Sequence, residues 1–269
     1  MDFRIKKPST SLAPFVKLYW MVENTNRDNS YHTQRIVPTG LADISFYEGI
    51  RPSTSDERKS ISGFSVVSGQ CKNYYDITLS GELTVFSVYF FPHTLSLFID
   101  IPLNEINNYS IPLKDLIPDA GRLEEDISAA NSFKEKVKII ETFLLNRLTQ
   151  HKNNLQIRRI SHAINMINHS KGNLSIDLMA SETCLSRKQF ERIFKQHVGN
   201  SPKQFLKTIR FQNAINIREE TKSTSLTELA FECGYYDQSH MISDFIKFSG
   251  KTPREYFKEA QAISDYFQY

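Results

Sequence analysis

The chain has 269 residues, 40% hydrophobic and 23% charged, enough apolar material for one large core or two modest ones. Its 33 Lys and Arg stand against 30 Asp and Glu, and a net charge of +3 excludes a polybasic tail or a highly charged disordered chain. Cys71, Cys184 and Cys233 are odd in number, far apart and without CxxC or paired Cys/His spacing, which argues against a disulfide scaffold and a zinc finger.

The basic N-terminus has no apolar stretch behind it, and the longest apolar run, residues 83–91, is interrupted by Thr84 and Ser87. A soluble, cytoplasmic chain with no signal peptide and no membrane span is expected. Up to about residue 118, β-branched and aromatic runs predict strands over 44–47, 64–67, 74–79 and 83–91. Pro38-Thr39-Gly40, the Gly49 to Pro52 stretch, Ser68-Gly69 and Ser80-Gly81 supply the turns. Along 83–91 both alternating faces carry large apolar side chains, so this strand is expected to be covered on both sides, as in a barrel or sandwich. Pro102, Pro112 and Pro118 mark a wandering connection, after which Leu123, Ile127, Val137, Ile140, Phe143 and Leu144 recur at helical spacing. His151-Lys152-Asn153-Asn154 reads as a linker, which divides a β-rich domain, 1–150, from a second domain, 151–269.

Beyond the linker the pattern is helical. Ile157, Ile160, Ile164 and Ile167 share a face, and Ser175, Ser186, Ser201, Ser225 and Asp237 each stand where a helix N-cap belongs. Pro202 and Pro253 fit the first helical position, where a missing N–H costs little. The most informative feature is a repeat of about 51 residues. Ser186 answers Asp237, Phe190 answers Met241, Phe194 answers Phe245, Gly199 answers Gly250, Ser201-Pro202 answers Thr252-Pro253, and Phe205 answers Tyr256. Each copy pairs a short helix holding a small residue, Ala180 or Ala230, with a tight turn and a capped second helix, which is the grammar of a helix-turn-helix.

Phe190, Ile193 and Phe194 in the first copy, and Met241, Phe245 and Phe248 in the second, bury the inner face of the second helix. The outer face of the first carries Arg187, Lys188, Glu191, Arg192 and Lys195; that of the second carries Gln238, Ser239, Ile242 and Ser243, with no cation before Lys247. Arg and Lys there can read guanine edges or hold phosphates, and Gln and Ser can read bases. One basic helix face is ordinary solvated surface; two such units at a fixed spacing point to DNA.

Residues 174–257 resemble the DNA-binding domain of the AraC/XylS family of transcription regulators. The resemblance is carried by Leu185-Ser186-Arg187, the block from Phe190 to Lys195, Gly199-Asn200-Ser201-Pro202, Ile209-Arg210-Phe211 with Ala214, Leu229-Ala230, the block from Gly234 to His240, Phe245-Ile246-Lys247, Gly250, Thr252-Pro253 and Tyr256. It implies two helix-turn-helix units joined by a long helix from Pro202 to about Arg218, with recognition helices in adjacent major-groove segments. By position the base-reading slots are Lys188, Glu191 and Arg192 in the first unit and Gln238, Ser239 and Ser243 in the second; Arg210 is structural or phosphate-facing. Where the family often has a basic residue this chain has Ser243, so the first unit is expected to dominate affinity.

The N-terminal part also resembles the sensor-type domain that precedes this module in one regulator subgroup, through Phe15-Val16, Tyr19-Trp20, Ile36 to Gly40, Ser68-Gly69-Gln70, Tyr89 to Pro92 and Ile101-Pro102-Leu103. The implied class is α+β: a cupin-like β-barrel with flanking helices, then an all-α domain. A barrel mouth offers an effector site, with Trp20, His32, Arg35, Tyr47, Tyr75, Phe86 and Tyr89 as candidates. Because His32 and His93 lack an HxH arrangement with a trailing carboxylate, neither a metal nor another cofactor is expected. The resemblance implies an activator, not an enzyme. Its partners would be double-stranded DNA, RNA polymerase, a small effector and a second copy through the helical stripe after residue 122, with no membrane. Two alternatives stay open: a cupin-like metal-dependent enzyme, or a non-sensing interaction module fused to a DNA-binding domain. Split at the linker, 1–150 holds 16 basic and 18 acidic side chains and 151–269 holds 17 and 12, so the near-neutral total hides a basic C-terminal half.

Overall fold

A computed structural model describes residues 2–25, 31–148, 155–221 and 225–263. The linker at 151–154 lies outside the described residues. The N-terminal part holds β1 (Asp2–Lys6), β2 (Val16–Asn24), β3 (Tyr31–Ile36), β4 (Ala42–Gly49), β5 (Ser53–Thr54), β6 (Ser65–Ser68), β7 (Tyr75–Ser80), β8 (Leu83–Phe90) and β9 (Ser110–Pro112). Six of them form an antiparallel sheet in the order β1-β2-β8-β4-β6-β9, and three form a second sheet, β3-β7-β5. The implied barrel is therefore two facing sheets whose hydrogen-bond ladder is not closed among the described strands. The strands at 16–24 and 31–36 carry polar and apolar residues without clean alternation, and the strand at 2–6, though it alternates, is too short to stand out; pairing with their neighbours defines all three.

Register sorts the side chains of the large sheet. Phe86 on β8 stands opposite Met21 on β2 and Phe46 on β4, while Val85 stands opposite Val22 and Tyr47. Side chains alternate along a strand, so Tyr19, Met21, Ile44, Phe46, Phe86 and Val88 build one core. Val22, Tyr47 and Val85 pack on the other side with Leu79 of the small sheet. Central strand β8 is thus buried on both faces, as its pattern predicts.

The first core is closed by α1 (Ala120–Ala129) and α2 (Phe133–Leu148), which bury Leu123, Ile127, Val137, Ile140 and Leu144 against the sheet. The helical spacing from 122 onward is two helices rather than one. Ser132 Oγ accepts the Glu135 N–H, and Glu135 reaches back to the Asn131 N–H at 2.8 Å, so a new helix starts there.

The C-terminal part holds α3 (Leu155–His169), α4 (Ile176–Glu182), α5 (Arg187–Val198), α6 (Pro202–Glu220), α7 (Leu226–Glu232), α8 (Gln238–Ser249) and α9 (Pro253–Ile263). Ser175, Ser186, Ser201, Ser225 and Asp237 all cap through side-chain oxygens, and Ser186 and Ser225 form reciprocal capping boxes with Gln189 and Glu228. Gly250 ends α8 at φ 72°, a left-handed conformation that favours glycine. Each repeat has its own core. Phe190, Ile193 and Phe194 pack with Ala180 in the first; Met241, Phe245 and Phe248 pack with Ala230 in the second. Helix α6 enters both, giving Phe205 and Leu206 to the first and Phe211, Ala214 and Ile215 to the second.

The two parts are docked by polar contacts. Asn200, just past α5, accepts from Asn107 Nδ2 at 2.7 Å and donates to Gln70 Oε1 at 2.8 Å; Asn107 also donates to Gly199 O, and Leu103 N–H to Gln196 O. On α6, Gln212 donates to Pro38 O at 2.7 Å, and Gly40 is so close that an added Cβ would lie 3.0 Å from the Phe205 ring. The Phe211 ring meets Phe245 at 4.8 Å and Phe248 at 5.2 Å. Phe211→Ala is expected to destabilise the helical part by about 3–5 kcal/mol. Urea unfolding followed by far-ultraviolet circular dichroism checks this, and a shift below about 1 kcal/mol would contradict the packing described.

Candidate nucleic-acid interface and N-terminal cavity

The capping box at Ser186 fixes the start of α5, and burial of Phe190, Ile193 and Phe194 turns its opposite face to solvent. Arg187, Lys188, Arg192 and Lys195 are exposed on that face, with Glu191 half-buried beside them. The Arg187 guanidinium lies 3.1 Å from Asp177 on α4 and 3.3 Å from Glu191, which lashes the two helices of the first unit at their outer edge. Lys188, Arg192 and Lys195 have no ion pair among the described residues and project freely.

The second unit is quieter. Gln238 Oε1 accepts from Thr227 Oγ1 on α7 at 2.9 Å, Ser239 and Ser243 are exposed, and Lys247 donates to Gln204 on α6 at 3.3 Å. Of the nine expected DNA contacts, Lys247 turns from the outer face towards α6 and the N-terminal residues 55–58 and 73–75, and Arg187 and Gln238 are held in contacts of their own. Tyr236, 86% exposed in the turn before α8, is an outward aromatic to which the sequence assigned no contact, since nothing in the Tyr235-Tyr236 pair tells which of the two is buried. Arg210 is half-buried, donates to Gly172 O and stacks over the Tyr235 ring, so it ties the units together.

Between the two sheets lies a cavity of about 130 Å³. Trp20, Tyr47, Tyr75 and Tyr89 line it. Three other expected effector residues do not. Phe86 points to the opposite face of the sheet, into the helix-covered core. Arg35 faces outward from β3, where it pairs with Asp76 at 2.8 Å, stacks on Tyr74 and donates to Ser249 O. His32 is exposed on the same strand. The cavity instead gains Asp43, Ser45 and Lys59, none of them expected. Asp43, Ser45 and Tyr47 alternate along β4 and so share the cavity face, a signal present in the sequence but readable only once that face is known.

Asp43 is half-buried and lines the cavity. Burial pushes its carboxyl up to about 6, against a 2.6 Å hydrogen bond from Ser45 and the charge of Lys59. Lys59 is itself buried, donates to Gly69 O at 2.8 Å and Tyr109 O at 3.3 Å, and is pushed down by burial. Burial likewise raises Tyr47, Tyr75 and Tyr89 above the usual tyrosine range. Among the described residues no group of three or more His, Cys, Asp or Glu is placed to hold a metal ion, and no helix is long and apolar enough to cross a membrane.

Because Asp43 keeps its proton in the folded chain to a higher pH than in the unfolded one, its contribution is fully present below 3.8 and is lost as pH rises to about 6. Asp43→Asn removes this dependence. The variant is expected to match the parent near pH 4 and to exceed it at pH 7 by on the order of 2 kcal/mol, measured as the difference in urea stability between the two pH values.

Residues 4–112 match the family described as a domain of unknown function (DUF6597), and residues 179–259 match a helix-turn-helix domain. The chain is similar to the HTH-type transcriptional regulator ArgR of Pseudomonas aeruginosa, 37% identical over 82 residues, covering 30% of this chain and 25% of that protein. It is also similar to the HTH-type transcriptional activator RhaS of Escherichia coli, 22% identical over 155 residues and 55% of each chain. The alignments thus span from a quarter to little more than half the length of these curated relatives. A crystal structure of ToxT from Vibrio cholerae aligns with 96% of this chain and 98% of that one, at 12% identity and a TM-score of 0.47.

Proposed function

We propose that the chain is a transcription activator of the AraC type, its residues 179–259 matching a helix-turn-helix domain, which binds specific DNA with α5 and α8 in adjacent major-groove segments and acts on RNA polymerase. The observation that carries this is the outer face of α5, where Lys188, Arg192 and Lys195 stand exposed and unpaired on a capped, rigid helix. Such cations neutralise phosphates and read guanine edges. The uncharged stretch of α8 before Lys247 adds fit more than affinity. The activity is equilibrium binding, with no catalytic step.

We further propose that a small effector in the cavity modulates DNA binding. Two of the cavity's walls support this. Val37, Thr39 and Leu41 line it, and the same loop rests on α6 through Pro38 and Gly40. Gly69 and Cys71 line it, and Gln70 between them is hydrogen-bonded to Asn200 at the end of α5. A ligand that favours one arrangement of these walls biases the spacing of α5 and α8, and it acts as a switch to the extent that its affinity differs between the arrangements. The apolar stripe of α1 and α2 is spent on the sheet, so the proposal includes no second copy through that face.

The test is anisotropy titration on DNA chosen by genome-wide mapping of occupancy. Lys188→Ala and Arg192→Ala are each expected to weaken binding by about 1–3 kcal/mol, and Ser243→Ala by much less. The affinity of the parent is expected to fall steeply with added salt as counterions are released. An Arg192→Ala variant that binds like the parent while Ser243→Ala abolishes binding would reverse the assignment, and salt-insensitive association would remove the phosphate contacts from it.

A further inference from the structure

Two buried charges elsewhere are matched directly: Lys136 has its ammonium 2.7 Å from Glu48, and Asp244 lies 2.8 Å from Lys207. Asp43 and Lys59 are not. They line one cavity, carry opposite charges, and form no ion pair with each other or with any other described residue. One Asp43 oxygen is taken by Ser45, and the other has no hydrogen-bond partner among the described residues. Lys59 spends two of its three protons on the carbonyls of Gly69 and Tyr109. Two opposite charges that line one largely apolar cavity without pairing are costly, and a group that bridges them removes part of that cost.

We propose that the cavity is a binding site for a small zwitterion, an amino acid with a short aliphatic side chain, whose ammonium group meets Asp43 and whose carboxylate meets Lys59. This rests on the effector site proposed above and adds the chemistry of its occupant. Each contact is a charge-assisted hydrogen bond, stronger than its neutral counterpart. Tyr89 stands opposite Asp43 on the neighbouring strand and Tyr47 lies on the same face of β4, so aromatic rings that attract an ammonium group share the wall with the carboxylate. Val22, Ile77, Leu79 and Val85 receive the side chain. A ligand with only one charge leaves the other buried charge unanswered. A polyol sets its hydroxyls against these aliphatic walls, where each unpaired group costs about 1–3 kcal/mol. In size, an apolar cavity of about 150 Å³ holds a benzene ring, so about 130 Å³ suits a molecule no larger than alanine, which has as many non-hydrogen atoms as benzene.

The test is isothermal titration of the full chain with five probes: L-alanine, ethylamine, propanoate, propan-1-ol and glycerol. L-alanine is expected to bind at least tenfold more tightly than any of the others, and Asp43→Asn and Lys59→Met each to weaken it at least tenfold. The probe series on the unmodified protein decides the matter should Lys59→Met fail to fold. Equal binding of the alcohol or of glycerol overturns the proposal, as does L-alanine affinity unchanged in Asp43→Asn. If no probe binds while the chain still binds its DNA, the zwitterion is excluded and the DNA-binding function stands. If L-alanine binds as expected and DNA affinity with and without it is the same, the site stands and the effector role falls.

Discussion

Neither helix-turn-helix unit can bury its inner face alone, and α6 is the element that solves this for both. Its first turns deliver Phe205 and Leu206 to the core beneath α5, and its later turns deliver Phe211, Ala214 and Ile215 to the core beneath α8. A single helix of 19 residues thereby fixes the separation and relative rotation of the two outer faces. Arg210 reinforces it from the side, reaching back to Gly172 of the first unit and over Tyr235 of the second. The remaining flank of α6 receives the N-terminal part at Pro38 and Gly40, so one rigid body is shared by three packed units.

The large sheet divides its labour by parity. On one side the alternating positions of β2, β4 and β8 hold Met21, Ile44, Phe46, Phe86 and Val88, a dry core closed by α1 and α2. On the other side the same strands hold Trp20, Asp43, Ser45, Tyr47 and Tyr89, which line a cavity. Filling that space with apolar side chains would have produced a more stable sheet. The chain instead encloses a carboxylate raised to about 6 and a lysine held by two carbonyls. Such strain at a cavity wall is the usual mark of a site rather than of a scaffold.

What makes the cavity relevant to the DNA-facing helices is the brevity of the paths between them. Gly69 fits only because it lacks a side chain, since an added Cβ would lie 2.1 Å from Ile106 O. That tight passage leaves Gln70 aimed at Asn200, one residue beyond the glycine that ends α5. The contacts are buried amide-to-amide hydrogen bonds. They lose their partners as a set when the parts shift, and they leave desolvated groups behind. Docking is therefore expected to have discrete arrangements rather than a continuous range.

The helical half was legible because its signals are local. An N-cap, a proline at the first turn and a 51-residue repeat are properties of a few neighbouring residues, and Ser175, Ser186, Ser201, Ser225 and Asp237 all cap where the sequence places them. The basic outer face of α5 follows from the same periodicity. The N-terminal half was only partly legible. Strand β8 announced its double burial, whereas β1, β2 and β3 exist by virtue of partners far along the chain. Phe86 and Arg35 were drawn to the cavity by residue type and are turned from it by strand parity and by the Asp76 pair. Asp43 and Lys59 carry no motif, and their meeting depends on how one sheet closes over the other. The sequence by itself determined the two helix-turn-helix units, their capped helices and the basic face of the first, because a helix is specified by neighbours three and four residues away. The cavity, its divided charges and its contact with α6 were decided only by the tertiary structure, because they arise where strands and loops distant in sequence are brought face to face.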